Sequence, residues 1–187
     1  MKKLVPIIFL LCLFYTAASA DERHDKDIEV RVNIEGDEVM VDAAFSVPVT
    51  PQKAWEVLTD FDHMAGFISN LQFSKIIESS KNTLYVSQKG VAKHALITFP
   101  FESIREIRLT PVEKIQSHML SGSMRKLEGI TRLFPEGDHA RITYHSDSFP
   151  GVWIPPIVGK AFIEHESREQ FQEMRDEMLR RKQLGSH

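Results

Sequence analysis

His94, His118 and His145 are the residues best placed for proton or metal chemistry in this chain of 187 residues. All three fall on predicted strands, and neighbouring antiparallel strands could join two of them as a general base or a metal pair. Strand alternation argues for the blander arrangement. His118 follows Ser117 and precedes Met119, and His145 lies between Tyr144 and Ser146. A strand that turns Met119 or Tyr144 inward turns the adjacent histidine out to solvent. On the last helix, His165-Glu166 is followed on the same face by Glu169 and not by a second histidine, so the helical zinc motif His-Glu-x-x-His is absent. A surface pair is expected there. Gly-x-Ser-x-Gly is absent too, and the nine glycines are scattered, which leaves neither a nucleophile elbow nor a phosphate cradle. Arg105, Arg125 and Glu128 are further charges on strands. Any of them buried in an interior would need a partner, and an Arg–Glu pair there could orient a polar head or assist acid–base chemistry. Surface pairing is the expected arrangement for all three.

The chain is better supplied with aromatic carbon than with reactive groups: twelve Phe, three Tyr and two Trp. Phe61, Phe67, Tyr85, Phe99, Phe101, Tyr144, Trp153 and Phe162, together with Met119 and Leu127, are spread over the elements that would surround an interior. These residues are the candidate ligand-binding set. They fill a core or line a pocket, and the two readings overlap, because a lipid pocket is an apolar core with its centre missing. No catalytic residue, metal site or cofactor is assigned.

Periodicity supplies the elements that must position these side chains. Ile28 to Ile34 and Val39 to Val47 alternate apolar with polar residues around a Glu35-Gly36-Asp37 turn, which predicts a hairpin. Thr50 is a fitting N-cap and Pro51 a fitting first residue for a short helix, and Asp60, Asp62 and Gly66 turn the chain into a second one. Six strands are predicted next: 71–78, 83–89, 94–108, 114–121, 125–134 and 140–147. Their connections are too short for helical crossovers, so the pairing is antiparallel. Pro150, Gly151, Pro155 and Pro156 mark residues 149–158 as an ordered loop. A long helix spans residues 160–182, with Ile163, Ser167, Phe171, Met174 and Met178 on one face. Its acid-first pairs Glu164–Arg168, Asp176–Arg180 and Glu177–Arg181 suit a solvated face.

The first twenty residues have the form of a secretory signal. Lys2 and Lys3 precede an apolar run too short to span a bilayer comfortably, and Ala18-Ser19-Ala20 offers small residues for cleavage. Cys12, the only cysteine, lacks a small residue before it and would leave with the signal. The mature chain would then have no disulfide and no thiolate site, which suits a periplasm. Removing Lys2 and Lys3 leaves 21 basic against 26 acidic residues, a net charge of −5, which argues against a nucleic-acid partner.

Ala43-Ala44-Phe45-Ser46-Val47, the Pro51–Leu58 segment with Trp55, Thr59-Asp60-Phe61-Asp62, Phe67, and the stretch from Gly122 to Leu133 with Leu127 and Gly129 give the chain a family likeness. It resembles the START-like superfamily, also described as polyketide cyclase/lipid transport or coenzyme-Q-binding-like domains. The resemblance runs over nearly the whole mature chain, with three departures: an export signal, an extra strand before Val39, and Thr131 where an aromatic residue is usual. It implies an α+β helix-grip fold, a curved antiparallel sheet wrapped around a long C-terminal helix with two short helices after the first core strand. Residues 1–20 would be the signal, 21–38 an N-terminal segment with the extra strand, and 39–183 the domain. The implied function is a periplasmic carrier for a lipid, isoprenoid or quinone, acting as a monomer or weak dimer without stable membrane insertion after signal cleavage. Its cavity would open near residues 62–67 and the 149–158 loop, and its ligand would enter tail first. A cyclase- or dehydratase-type enzyme and an envelope interaction module on the same scaffold remain the alternatives.

Overall fold

The computed structural model describes residues 28–94, 97–152 and 156–185. In chain order the elements are β1 (Glu29–Glu35), β2 (Glu38–Val47), α1 (Pro51–Leu58), a single 3-10 turn (Met64–Gly66), β3 (Leu71–Ser80), β4 (Thr83–His94), β5 (Ile97–Thr110), β6 (Lys114–Gly122), β7 (Met124–Glu136), β8 (His139–Pro150) and α2 (Pro156–Leu184). The eight strands form one antiparallel sheet in the order β1-β2-β8-β7-β6-β5-β4-β3. The long helix α2 packs on its inner face, against β1, β2 and β4, and against α1. This is the expected helix-grip arrangement. Among the described residues no helix is long and apolar enough to cross a membrane.

The local signals act as anticipated at the start of α1. Thr50 Oγ1 accepts a hydrogen bond from the Lys53 amide at 3.3 Å, and Pro51 occupies the first turn. Ala54, Trp55, Val57 and Leu58 are buried beneath it. The second helix is reduced to one 3-10 turn, which buries Met64.

Three sequence expectations are corrected. Gly90 does not end a strand. It lies inside β4, where a Cβ would meet the Asn70 carbonyl oxygen at 2.1 Å and the Phe101 ring at 2.6 Å, so its missing side chain lets two neighbours close over the strand. The 149–158 loop is shorter than expected, because β8 runs to Pro150 and α2 begins at Pro156. The charged face of α2 is not wholly solvated. Glu166, Arg175 and Glu177 are buried, because the helix is gripped from both sides. On one side Arg168 donates to the Ile28 carbonyl of the β1 flank. On the other, the 69–70 segment binds Glu166, Gln170 and Glu173. Asp176 accepts from Gln172, and Arg180 turns instead to Glu177.

Candidate functional site

Strand register sorts every side chain onto one of two faces. On β5 the inward set is Phe99, Phe101, Ser103, Arg105, Ile107 and Leu109. It faces Leu84, Val86, Gln88, Gly90 and Ala92 on β4. Across β6 to β8 the same face carries Ile115, Ser117 and Met119, then Leu127, Gly129, Thr131 and Leu133, then Ile142, Tyr144, Ser146 and Ser148. Burial along this face is graded. At one end Ile107, Ile115, Leu133 and Ile142 are at most 7% exposed. At the other, Phe99, Phe101, Met119 and Leu127 stay only half-buried. The helix closes the first end with Phe171 and Met178, while Phe162 and Ile163 near its start are only half-buried. The interior is therefore a packed core that loosens toward the β8–α2 connection.

The boundary between these regions is polar. Arg105 Nη2 donates to Gln88 Oε1, and Nη1 lies 3.4 Å from Ser117 Oγ. Gln88 Nε2 donates to Ser74 Oγ at 2.9 Å and approaches Met64 Sδ at 3.6 Å. Arg105 Nε is shut off from solvent and has no hydrogen-bond partner. Burial pulls the guanidinium below its usual pKa, with only the nearby Tyr144 opposing. It stays charged even so, because arginine starts so far above neutral pH. Burial likewise pushes Tyr144 up, outweighing Ser146 and Arg105, so its hydroxyl is a neutral phenol. Gly129 packs beside that hydroxyl: a Cβ there would sit 3.6 Å from the oxygen, at ordinary contact distance. Tyr144, Phe171 and Phe45 stack as tilted rings at centroid distances of 5.3 and 5.8 Å, fixing the helix to this wall.

The candidate set divides. Phe99, Phe101, Met119, Leu127 and Tyr144 share the inner face. Phe162 lies half-buried near the start of α2. Phe61 is packed in the core at the α1 corner. Phe67 is partly buried below the Arg181 guanidinium at 5.6 Å, near the opposite end of α2 from the β8–α2 connection. The 62–67 segment and that connection therefore do not rim one mouth. Tyr85 is on the outer face, out of phase with fully buried Val86, and its hydroxyl donates to Glu106 at 3.3 Å. Trp153 falls outside the described residues.

Sequence reasoning placed Arg105 on the surface and passed over Gln88. Both lie in the apolar phase of their strands, Arg105 between Ser103 and Ile107 and Gln88 between Val86 and Gly90, and that phase was the available signal. Arg125 and Glu128 do pair outside, with Asp37 and His118. His118 and His145 point outward together, into a shallow groove with Glu106, Arg108, Glu128 and Asp147. His145 Nδ1 lies 2.8 Å from Asp42, whose hydrogen bond holds the imidazole above its ordinary pKa. His165, Glu166 and Glu169 offer ligand atoms within 4.8 Å of one another, but Glu166 already accepts from Asn70 Nδ2 at 3.0 Å and His165 lies 3.6 Å from Glu169.

Residues 47–175 match the family model described as polyketide cyclase / dehydrase and lipid transport. No curated protein matches the chain. Similar solved structures include a STAR-related lipid transfer protein from Xanthomonas axonopodis, with TM-score 0.68 and 14% identity over 82% of this chain and 94% of that one. An aromatase/cyclase from a Streptomyces species superposes with TM-score 0.66 and 16% identity over 77% and 95%. A START superfamily protein from Mycobacterium smegmatis does so with TM-score 0.66 and 12% identity over 75% and 97%. At these identities the likeness is one of fold.

Proposed function

The chain belongs to the polyketide cyclase/dehydrase and lipid transport family, and from that premise we propose that it is an exported, periplasmic carrier that holds a hydrophobic small molecule between its sheet and α2. The observation that carries this reading is the graded inner face. Ile107, Ile115, Leu133 and Ile142 are packed shut, while Phe99, Phe101, Met119 and Leu127, equally apolar, are left half-covered. Folding alone gains nothing from leaving apolar surface uncovered; each methylene a ligand buries there contributes ~0.8 kcal/mol to binding. Export is supported by the succession of Lys2-Lys3, an apolar run and Ala18-Ser19-Ala20.

The cyclase or dehydratase reading has one observation in its favour, the Tyr144 hydroxyl and the Arg105 guanidinium on one interior wall. A neutral phenol is a poor general base, and among the described residues no carboxylate or imidazole adjoins it on that wall to take its proton. Binding is the better account.

The test is native mass spectrometry of the protein recovered from the envelope of its own cells. A lipid-sized mass that travels with the folded protein and is released on unfolding supports the carrier. Ligand-free protein that also fails to take up any apolar probe refutes it.

A further inference from the structure

Resting on the carrier function proposed above, we infer that the interior takes a long-chain carboxylate, bound head-inward on Arg105 with its tail running to the open end. Counted along β5 from that end, Arg105 is the next inward position after Phe99, Phe101 and Ser103, and the packed core begins at its neighbour Ile107. A headgroup that enters from the half-covered end meets the guanidinium where the packed core begins.

The charge there is uncompensated. Arg31, Arg108, Arg125, Arg180 and Arg181 each sit against an Asp or Glu carboxylate. Among the described residues Arg105 has no such partner, and its neighbours Gln88, Ser117 and Tyr144 are all neutral. A buried charge without a counter-charge is costly, so a molecule that brings one is favoured at this position over one that does not. The amount needed is one unit. A dianionic phosphate monoester would replace a buried positive charge with a buried negative one.

The shape of the donor group is also specific. Its two Nη groups meet only the neutral oxygens of Gln88 and Ser117, Nε has no acceptor, and a guanidinium edge is a planar fork that two carboxylate oxygens fit side by side. On the open side of Arg105 the walls beyond Ser103 are Phe99, Phe101, Met119 and Leu127, apolar and half-covered, which suits a methylene chain. The resulting orientation is the reverse of the tail-first entry expected from sequence.

The experiment compares palmitate, hexadecanol and hexadecyl phosphate as competitors of a neutral fluorescent probe, on delipidated wild-type protein and on Arg105→Met. The wild type should bind palmitate on the order of tenfold more tightly than hexadecanol, and more tightly than the phosphate. Arg105→Met should keep its affinity for hexadecanol and lose the preference for the acid. Palmitate labelled with carbon-13 at the carboxyl should stay ionised in the complex to lower pH than it does free. Equal binding of acid and alcohol by the wild type overturns the inference and leaves the carrier function standing. Binding of the phosphate as tight as that of palmitate overturns the carboxylate class. Failure of the wild type to take the probe or any of the three removes the carrier function itself. Should Arg105→Met fail to fold, the wild-type preference and the carboxyl titration decide the question alone.

Discussion

The Phe171 ring of α2 lies 5.3 Å from the Tyr144 ring of β8, tilted by 57°. A second ring, Phe45 of β2, meets Phe171 at 5.8 Å. Tilted aromatic pairs add to ordinary area burial, and here they fix where the helix rests on the sheet. The helix is tied down at this cluster, by Glu166, Arg168 and Gln170 before it, and toward Met178 beyond it. Nearer its start Phe162 and Ile163 are only half-buried.

Phe171→Ala should destabilise the fold by roughly 3–5 kcal/mol, the cost of removing a buried phenyl ring and leaving the hole unfilled. Trp55→Ala, in the α1 face that packs beside α2, should cost a similar amount. Denaturant unfolding checks both. An unchanged midpoint for either would place its ring outside the core.

Leu127→Trp should narrow the half-open end, since Leu127 lies on the inner face opposite Ser148. Losing room for about two methylenes should weaken uptake of a fluorescent fatty acid or quinone analogue roughly tenfold. Circular dichroism should show the variant folded. Undiminished uptake would mean that the ligand lies elsewhere.

Glu177 carries the pH prediction. Hydrogen bonding from Arg180 lowers its pKa, burial opposes this, and Arg181 adds to the lowering. A carboxyl depressed by folding contributes stability that is present above its ordinary value of 4.5 and lost as pH falls through the folded value. Glu177→Gln should therefore cost roughly 1–2 kcal/mol near neutral pH. The gap to wild type should close in acid. A gap that persists unchanged at low pH would assign the loss to shape and not to charge.

Cleavage after Ala20 should give exported protein that begins Asp21-Glu22-Arg23 on N-terminal sequencing. An intact Met1 recovered in the membrane fraction would contradict it.

The strands were legible because their alternation is regular and their turns are short. Thr50-Pro51 likewise announced α1 by its chemistry alone. Arg105 was not legible, since a charge in the apolar phase of a strand can point to solvent or to a cavity. Deciding between them requires knowing that α2 lies over this face of the sheet, against β1, β2 and β4, a relation between elements far apart in sequence. Gly90 misled for a similar reason. A glycine in a strand usually signals a break, and only the Phe101 ring and the Asn70 carbonyl above it explain why the strand continues. Buried Glu166 of α2 has the same origin, because its partner Asn70 lies about a hundred residues away.

The strand order has a consequence in time. β2 pairs with β8, and its register joins Val39 to Ser148 and Val47 to Ala140. As the chain emerges, the β1–β2 hairpin and the β3–β7 meander can form locally, but the seam between them has no partner until β8 arrives. Closing a loop of that length precedes any reward from its contacts, so assembly of the sheet waits for the C-terminal part of the molecule. Until then the chain has no closed interior to keep it compact. The slowest refolding step should be the docking of β8 against β2.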